Sequence, residues 1–222
     1  MVIQGCLDTF RSEVETALRI FYAYEGIKKL LADQMYVDLI NKNISFWRIY
    51  ISSVQTKLFI ALGRLYDDSR DSFSFKTFSR TCRDNFQEFD KAGLEARKRD
   101  GAAIKPDWLD DYLDKAYYPT IEDINTLFRL TRPHNDKFKG LYRSIRDKVF
   151  AHAVHTDSEA IANMFQGTDF EEIEAALTVL WSIYSQIWQL YNNGRQPSFS
   201  IESYPYKDEV VDGLKTVLLT TA

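Results

Sequence analysis

Apolar side chains recur along this chain at three- and four-residue steps, and no stretch sustains the period-two alternation of a half-buried strand. The first such stripe, Leu7, Phe10, Val14, Ala17, Phe21 and Tyr24, predicts a helix over residues 6 to 32 that tolerates Gly26. The second runs through Val37, Ile40, Ile44, Trp47, Ile51, Val54, Leu58, Ala61 and Leu65. It predicts one helix of about eight turns over 37 to 67. Phe46, Tyr50, Phe59, Leu62 and Tyr66 widen its apolar face, so this helix is expected to meet neighbours on more than one side.

Polar turn-formers from Asp67 to Ser72 end that stripe, and Phe75 and Phe78 anchor a short helix beyond. Residues 95 to 106, with Gly101 and Pro106, read as a surface connection whose Arg97, Lys98 and Arg99 form a solvated charged face, the commoner role of a charge run, or else a contact to a polyanion. A short amphipathic piece spans 108 to 118. Thr120 then caps a helix that stops before Pro133. Residues 136 to 155 carry another stripe in Phe138, Leu141, Ile145 and Val149. Thr168 to Glu171 read as a capping box for a last long helix over 170 to 193, which ends at Asn193-Gly194 with Pro197 beyond. The tail, residues 197–222, is one more short helix or a partner-binding arm. These elements define an all-α class: an antiparallel up-and-down bundle, a single helical domain over 1–222, arranged around helices 37 to 67, 137 to 155 and 170 to 193.

Composition narrows what such a bundle does. With 45% hydrophobic and 14% aromatic residues, 222 residues suffice for a substantial core. A net charge of −4 excludes a general nucleic-acid coat protein, so any RNA contact belongs in a local groove. Two cysteines, Cys6 and Cys82, are too few for a disulfide framework and read as buried, reduced thiols. The N-terminus lacks the pattern of a signal peptide. The longest uncharged run, Ala175 to Gly194, holds seven polar residues and makes a poor membrane span. A cytoplasmic protein with no membrane partner is the expectation.

The stripe over 136 to 155 inverts the sign of the chain's net charge. Between Asp136 and His155, Lys137, Lys139, Arg143, Arg146 and Lys148 face only Asp136 and Asp147, a local balance of +3. Lys139, Arg143 and Lys148 are therefore the candidate contacts to an anion. His152 follows Ile145 by seven residues and falls on the apolar stripe, with Arg146 on its flank. The spacing alone is weak, since 14 arginines and three histidines give roughly 0.6 matches by chance. Arg129 and His134 match too, but Pro133 breaks any single helix holding both.

The phrase R-D-K-V-F-A-H, Arg146 to His152, resembles the signature of the HEPN ribonucleases, in which an Arg, a polar residue and a His form the site. L-Y-D-D-S-R-D-S-F-S-F, Leu65 to Phe75, resembles the helix exit of the abortive-infection, AbiU-like branch. The resemblance covers roughly residues 30 to 155. It implies a dimeric endoribonuclease needing no cofactor, with Arg146, Asp147 and His152 as catalytic residues, RNA as substrate and an antitoxin protein as a possible partner. Asp147 stands where the family more often has Asn, and Val154 where some toxin relatives carry a tyrosine that a partner nucleotidyltransferase modifies. Two readings stay open beside it: a metal shared by His152 and His155, and a catalytically silent helical module that binds a protein partner. Gly-rich phosphate loops, a nucleophile elbow and zinc-finger spacings are absent from the sequence.

Overall fold

The first stripe of the sequence becomes the axis of the molecule. Ile3, Leu7, Phe10, Val14, Ala17, Leu18 and Phe21 are fully buried, and Cys6 and Tyr22 are buried as well. A helix buried on more than one face must be surrounded. The computed structural model describes residues 2–67, 73–102, 104–138 and 168–220, and among these the secondary structure is all helical. Its elements are α1 (Val2–Leu30), α2 (Gln34–Lys42), α3 (Ile44–Leu65), α4 (Phe75–Asp84), a 3-10 turn (Phe86–Phe89), α5 (Lys91–Arg99), α6 (Leu109–Lys115), α7 (Ile121–Arg129), α8 (Arg132–Lys137), α9 (Phe170–Asn193) and α10 (Lys207–Thr220). Helix α1, about 44 Å long at 1.5 Å per residue, packs against α3, α4, α9 and α10. Of the arrangement expected around 37 to 67, 137 to 155 and 170 to 193, residues 139 to 155 lie outside the described residues, and among the described ones the N-terminal helix takes the centre.

The eight-turn helix expected over 37 to 67 is two helices. Asn43, at φ −133° and ψ 47°, leaves helical geometry between α2 and α3. The apolar period passes unbroken across that residue, so the pattern hid the break. Asparagine tolerates such backbone because its side chain competes with helical hydrogen bonding. The N-terminal half of α3 buries only Trp47, which joins Ile27, Leu30, Ile40, Leu214 and Leu218 in a small second core. Phe46 and Ile49 stay 59% and 68% exposed, so the neighbour expected on that side is not supplied by the described chain.

Aromatic stacking fixes the main core. Phe10 of α1 stacks on Phe78 of α4 with centroids 4.1 Å apart, and Phe128 of α7 meets Phe78 edge-on at 5.9 Å. Cys6 and Cys82 are buried here and free, their thiol pKa values pushed up by burial.

The stretch read as a surface connection is partly structural. Residues 91–99 form α5, and Arg97 turns inward. Its guanidinium lies 3.7 Å from the Tyr191 ring centroid, Nε donates to Tyr191 O at 2.9 Å, and a terminal nitrogen donates to Glu88 O at 2.8 Å. Burial lowers the Arg97 pKa, and the Tyr191 ring and carbonyl make the site tolerable. A third core of Leu94, Leu109 and Leu113 holds α5 to α6.

Helix α9 has the boundaries its sequence predicts, but its cap is Asp169, not Thr168. The Asp169 carboxylate accepts from Glu171 N and Glu172 N. At the other end Gly194 takes left-handed backbone (φ +55°) and accepts from Tyr117 N at 2.7 Å. A Cβ there would sit 2.7 Å from Ala116 Cβ and 2.9 Å from Leu94 Cδ2. Gly194→Ala is therefore expected to destabilise the fold by about 2–3 kcal/mol, from left-handed strain and overpacking together. Urea unfolding, read as a lower midpoint at unchanged slope, measures it. The tail resolves as the helix α10, docked on α1 and α2. Among the described residues, no helix is long and apolar enough to cross a membrane.

Candidate functional site

The approach to the basic segment is built by a well-specified chain of local signals. Thr120 and Asp123 form a reciprocal capping box at the start of α7, which ends at Arg129. Helix α8 begins at Arg132 with Pro133 in its first turn, where a missing N–H costs nothing. Phe138 follows. Its ring is buried and stacks on Tyr66 with centroids 4.2 Å apart and planes 23° apart. Tyr66, at the end of α3, in turn donates its hydroxyl to Ala176 O of α9 at 3.4 Å. The residue preceding Lys139 is thereby tied to two long helices.

After the segment, Asp169 caps α9 and Phe170 packs on Phe21 and Tyr24 of α1, with the Lys28 ammonium 3.9 Å from its ring centroid. Arg146, Asp147 and His152, the basic residues Lys139, Arg143 and Lys148, and His155 all lie outside the described residues. The competing pair is placed. Arg129 sits on α7, bound to Glu122 and to Thr126 Oγ1, whereas His134 sits on α8. Two elements carry them, as Pro133 required.

Between these anchors a cavity of about 530 Å3 is bordered by Tyr22, His134, Glu171, Glu174, Thr178 and Lys207. Its organising group is Glu174. The same carboxylate oxygen accepts from Tyr22 Oη at 2.9 Å and from Lys207 Nζ at 2.8 Å, locking α1, α9 and α10 together. Partial burial pulls the Glu174 carboxyl upward, but the bonds from Lys207 and Tyr22 outweigh it and hold its pKa below the ordinary value. Burial and the adjacent carboxylate raise the Tyr22 phenol. Sequence reasoning missed this trio because its members stand 152 and 33 positions apart, beyond any local spacing rule.

The sign of its pH dependence follows. A carboxyl with a depressed folded pKa binds protons less readily folded than unfolded. Its contribution is full above the unfolded value of about 4.3 and is lost as pH falls through the folded one. Glu174→Gln is therefore expected to flatten the acid limb of stability below about pH 4.5, by no more than about 1 kcal/mol for a partly exposed pair. Urea titrations at stepped pH check it.

The described residues place the chain among all-helical proteins. The family model HEPN_AbiU2 (AbiU2) matches residues 3–212, and the chain belongs to this family. The match reaches well beyond the 30 to 155 span over which the sequence resemblance was drawn. Membership associates the chain with ribonuclease or abortive-infection roles. No curated protein and no solved structure matches the chain.

Proposed function

We propose that this protein is a metal-independent endoribonuclease acting in abortive infection or as a toxin, with its site shared between two copies of the chain. The observation that carries the reading is family membership over residues 3–212, joined to the Arg146, Asp147 and His152 series in the basic segment 136 to 155. RNA supplies its own nucleophile. A histidine takes the 2′-hydroxyl proton, the 2′-oxygen attacks the adjacent phosphorus, and the bond from phosphorus to the 5′-oxygen breaks. A second histidine protonates that leaving oxygen, leaving a 2′,3′-cyclic phosphate and a 5′-hydroxyl. Arginine's fork holds the non-bridging oxygens as charge develops.

One chain offers a single His and a single Arg in the motif, so a two-fold dimer completes the set. Lys139, Arg143 and Lys148 line the groove beside it. With +3 on each side, apolar flanks must hold the copies together while RNA phosphates neutralise the charge. RNA affinity should then fall steeply with salt and dimerisation hardly at all. The cytoplasm, where RNA is present and thiols stay reduced, suits this activity. An antitoxin protein is the proposed regulatory partner.

The exposed Phe46 and Ile49 on α3 favour a second reading, a silent module that binds a protein through that face. One assay separates the two. Purified protein is incubated with RNA in excess chelator, and chains carrying His152→Ala and Arg146→Ala are tested alone and mixed. Cleavage in chelator, lost in each variant and still absent on mixing because the mixed dimer keeps only one of the two histidines, is the expected result for a shared site that needs both. Absence of any cleavage leaves the silent module. Cleavage only with a divalent ion assigns His152 and His155 to a metal.

A further inference from the structure

The far end of α9 carries a second concavity. Leu109 and Leu113, fully buried, pin α6 down and leave Trp108 and Tyr112, four residues apart, on its outer flank. Their rings meet edge-on at 5.8 Å, and Trp108 remains 52% exposed. Lys98 comes from the last turn of α5, with Nζ 2.8 Å from Asn193 Oδ1 and 5.0 Å from the Tyr112 ring centroid. Gly194 turns the chain out of α9 and delivers Arg195, which is exposed and whose guanidinium pairs with nothing among the described residues. Together with Asp111 and Lys115 these residues line a cavity of about 610 Å3, within the range that takes small ligands.

The charge inside is positive. Lys98, Lys115 and Arg195 oppose only Asp111, whose carboxylate is already held by Lys115 Nζ at 2.6 Å. Asp110 and Asp114 of the same helix are bound to Lys105 and Lys91. The terminal carbonyls of α9, which would repel an anion, are also taken. Asn193 O accepts from Tyr112 Oη at 2.8 Å, and Gly194 O accepts from Tyr117 N. A flat exposed ring beside a net positive lining, with Arg195 unpaired among the described residues, is the arrangement by which proteins hold single-stranded nucleic acid: a base stacks on the ring and the cations take its phosphate.

We propose that this cavity binds a nucleotide, its base stacked on Trp108 and its phosphate among Lys98, Lys115 and Arg195. The cavity lies about 35 Å along α9 from Phe170. It is thus a site distinct from the cavity around Glu174, at the opposite end of α9. As a holding point for a strand whose other part is cut elsewhere it rests on the ribonuclease reading. As a site for a free nucleotide it stands without it.

Binding is measured on the full chain carrying His152→Ala, so that cleavage plays no part. The probes are a labelled short single-stranded RNA oligomer, a free nucleoside monophosphate and inorganic phosphate. Trp108→Ala is expected to weaken the nucleotide probes roughly 5- to 150-fold, the scale of one lost stack. Trp108→Phe keeps most of the affinity but loses the quenching of tryptophan emission that stacking produces. Arg195→Glu weakens binding several-fold at low salt and hardly at high salt, whereas Lys57→Glu, an equal charge change on α3, has no comparable effect. Loss for the oligomer alone assigns the site to an RNA strand, and loss for the monophosphate assigns it to a free nucleotide. Unchanged binding of both in Trp108→Ala and Arg195→Glu overturns the proposal. So does equal competition by inorganic phosphate, which would mark a bare anion patch. Trp108 is exposed, so unaltered thermal unfolding confirms that its variants are folded. Loss of RNA cleavage in His152→Ala with binding intact separates this site from the catalytic reading.

Discussion

RNA cleavage by the His152→Ala chain is expected to fall at least about a hundredfold below that of the natural sequence in excess chelator, and Arg146→Ala to fall as far. The first removes the group that moves protons near neutral pH, and the second the fork that meets the phosphate as its charge grows. Each loss ordinarily costs a factor of about 10² or more. The pH profile gives a sharper test. Two histidines in opposite protonation states require a bell-shaped rate, with limbs on either side of the unperturbed value of about 6.5. Arg146→Lys should keep the bell and lower its height, because a point charge replaces a bidentate fork. Full activity in His152→Ala would remove that residue from the chemistry. A monomer at assay concentrations with full activity would remove the composite site.

The second large effect is structural. Phe138→Ala empties a fully enclosed ring position and strips Tyr66 of its stacked partner, 4.2 Å away. A buried phenylalanine truncated to alanine costs about 3–5 kcal/mol, a large fraction of the stability of an ordinary domain. Denaturant unfolding should show the loss directly, while Phe138→Leu retains most of the stability. Because Phe138 immediately precedes Lys139, the alanine chain should also cleave RNA poorly at temperatures where it is still folded. An alanine chain as stable and active as the natural one would show that this stack does not anchor the basic segment.

How far the sequence could be read depended on whether the deciding interaction was local. Helix α9 was legible to the residue because its stripe, its polar start and Asn193-Gly194 all act within a few positions. The Thr120 capping box was legible for the same reason. Asn43 was not, since an apolar period that continues across a break carries no mark of it. Arg97 was misread because a run of charge gives no sign that Tyr191, 94 residues away, waits to receive one member. The Glu174 trio and the cavity beside Trp108 draw their residues from distant elements and escape any spacing rule. The motif residues were legible only as a family likeness, which the match over 3–212 upholds at the level of the family.

The covering of α1 is divided by distance along the chain. Helices α3 and α4 follow it closely in sequence, whereas Tyr22 meets Glu174 only 152 residues on, and α10 lies later still. Contacts of high sequence separation cost more loop-closure entropy before they are rewarded, so the side of α1 facing α3 and α4 is expected to form first and the side facing α9 and α10 last. The Glu174 trio, which joins α1, α9 and α10, is then the latch that closes the bundle.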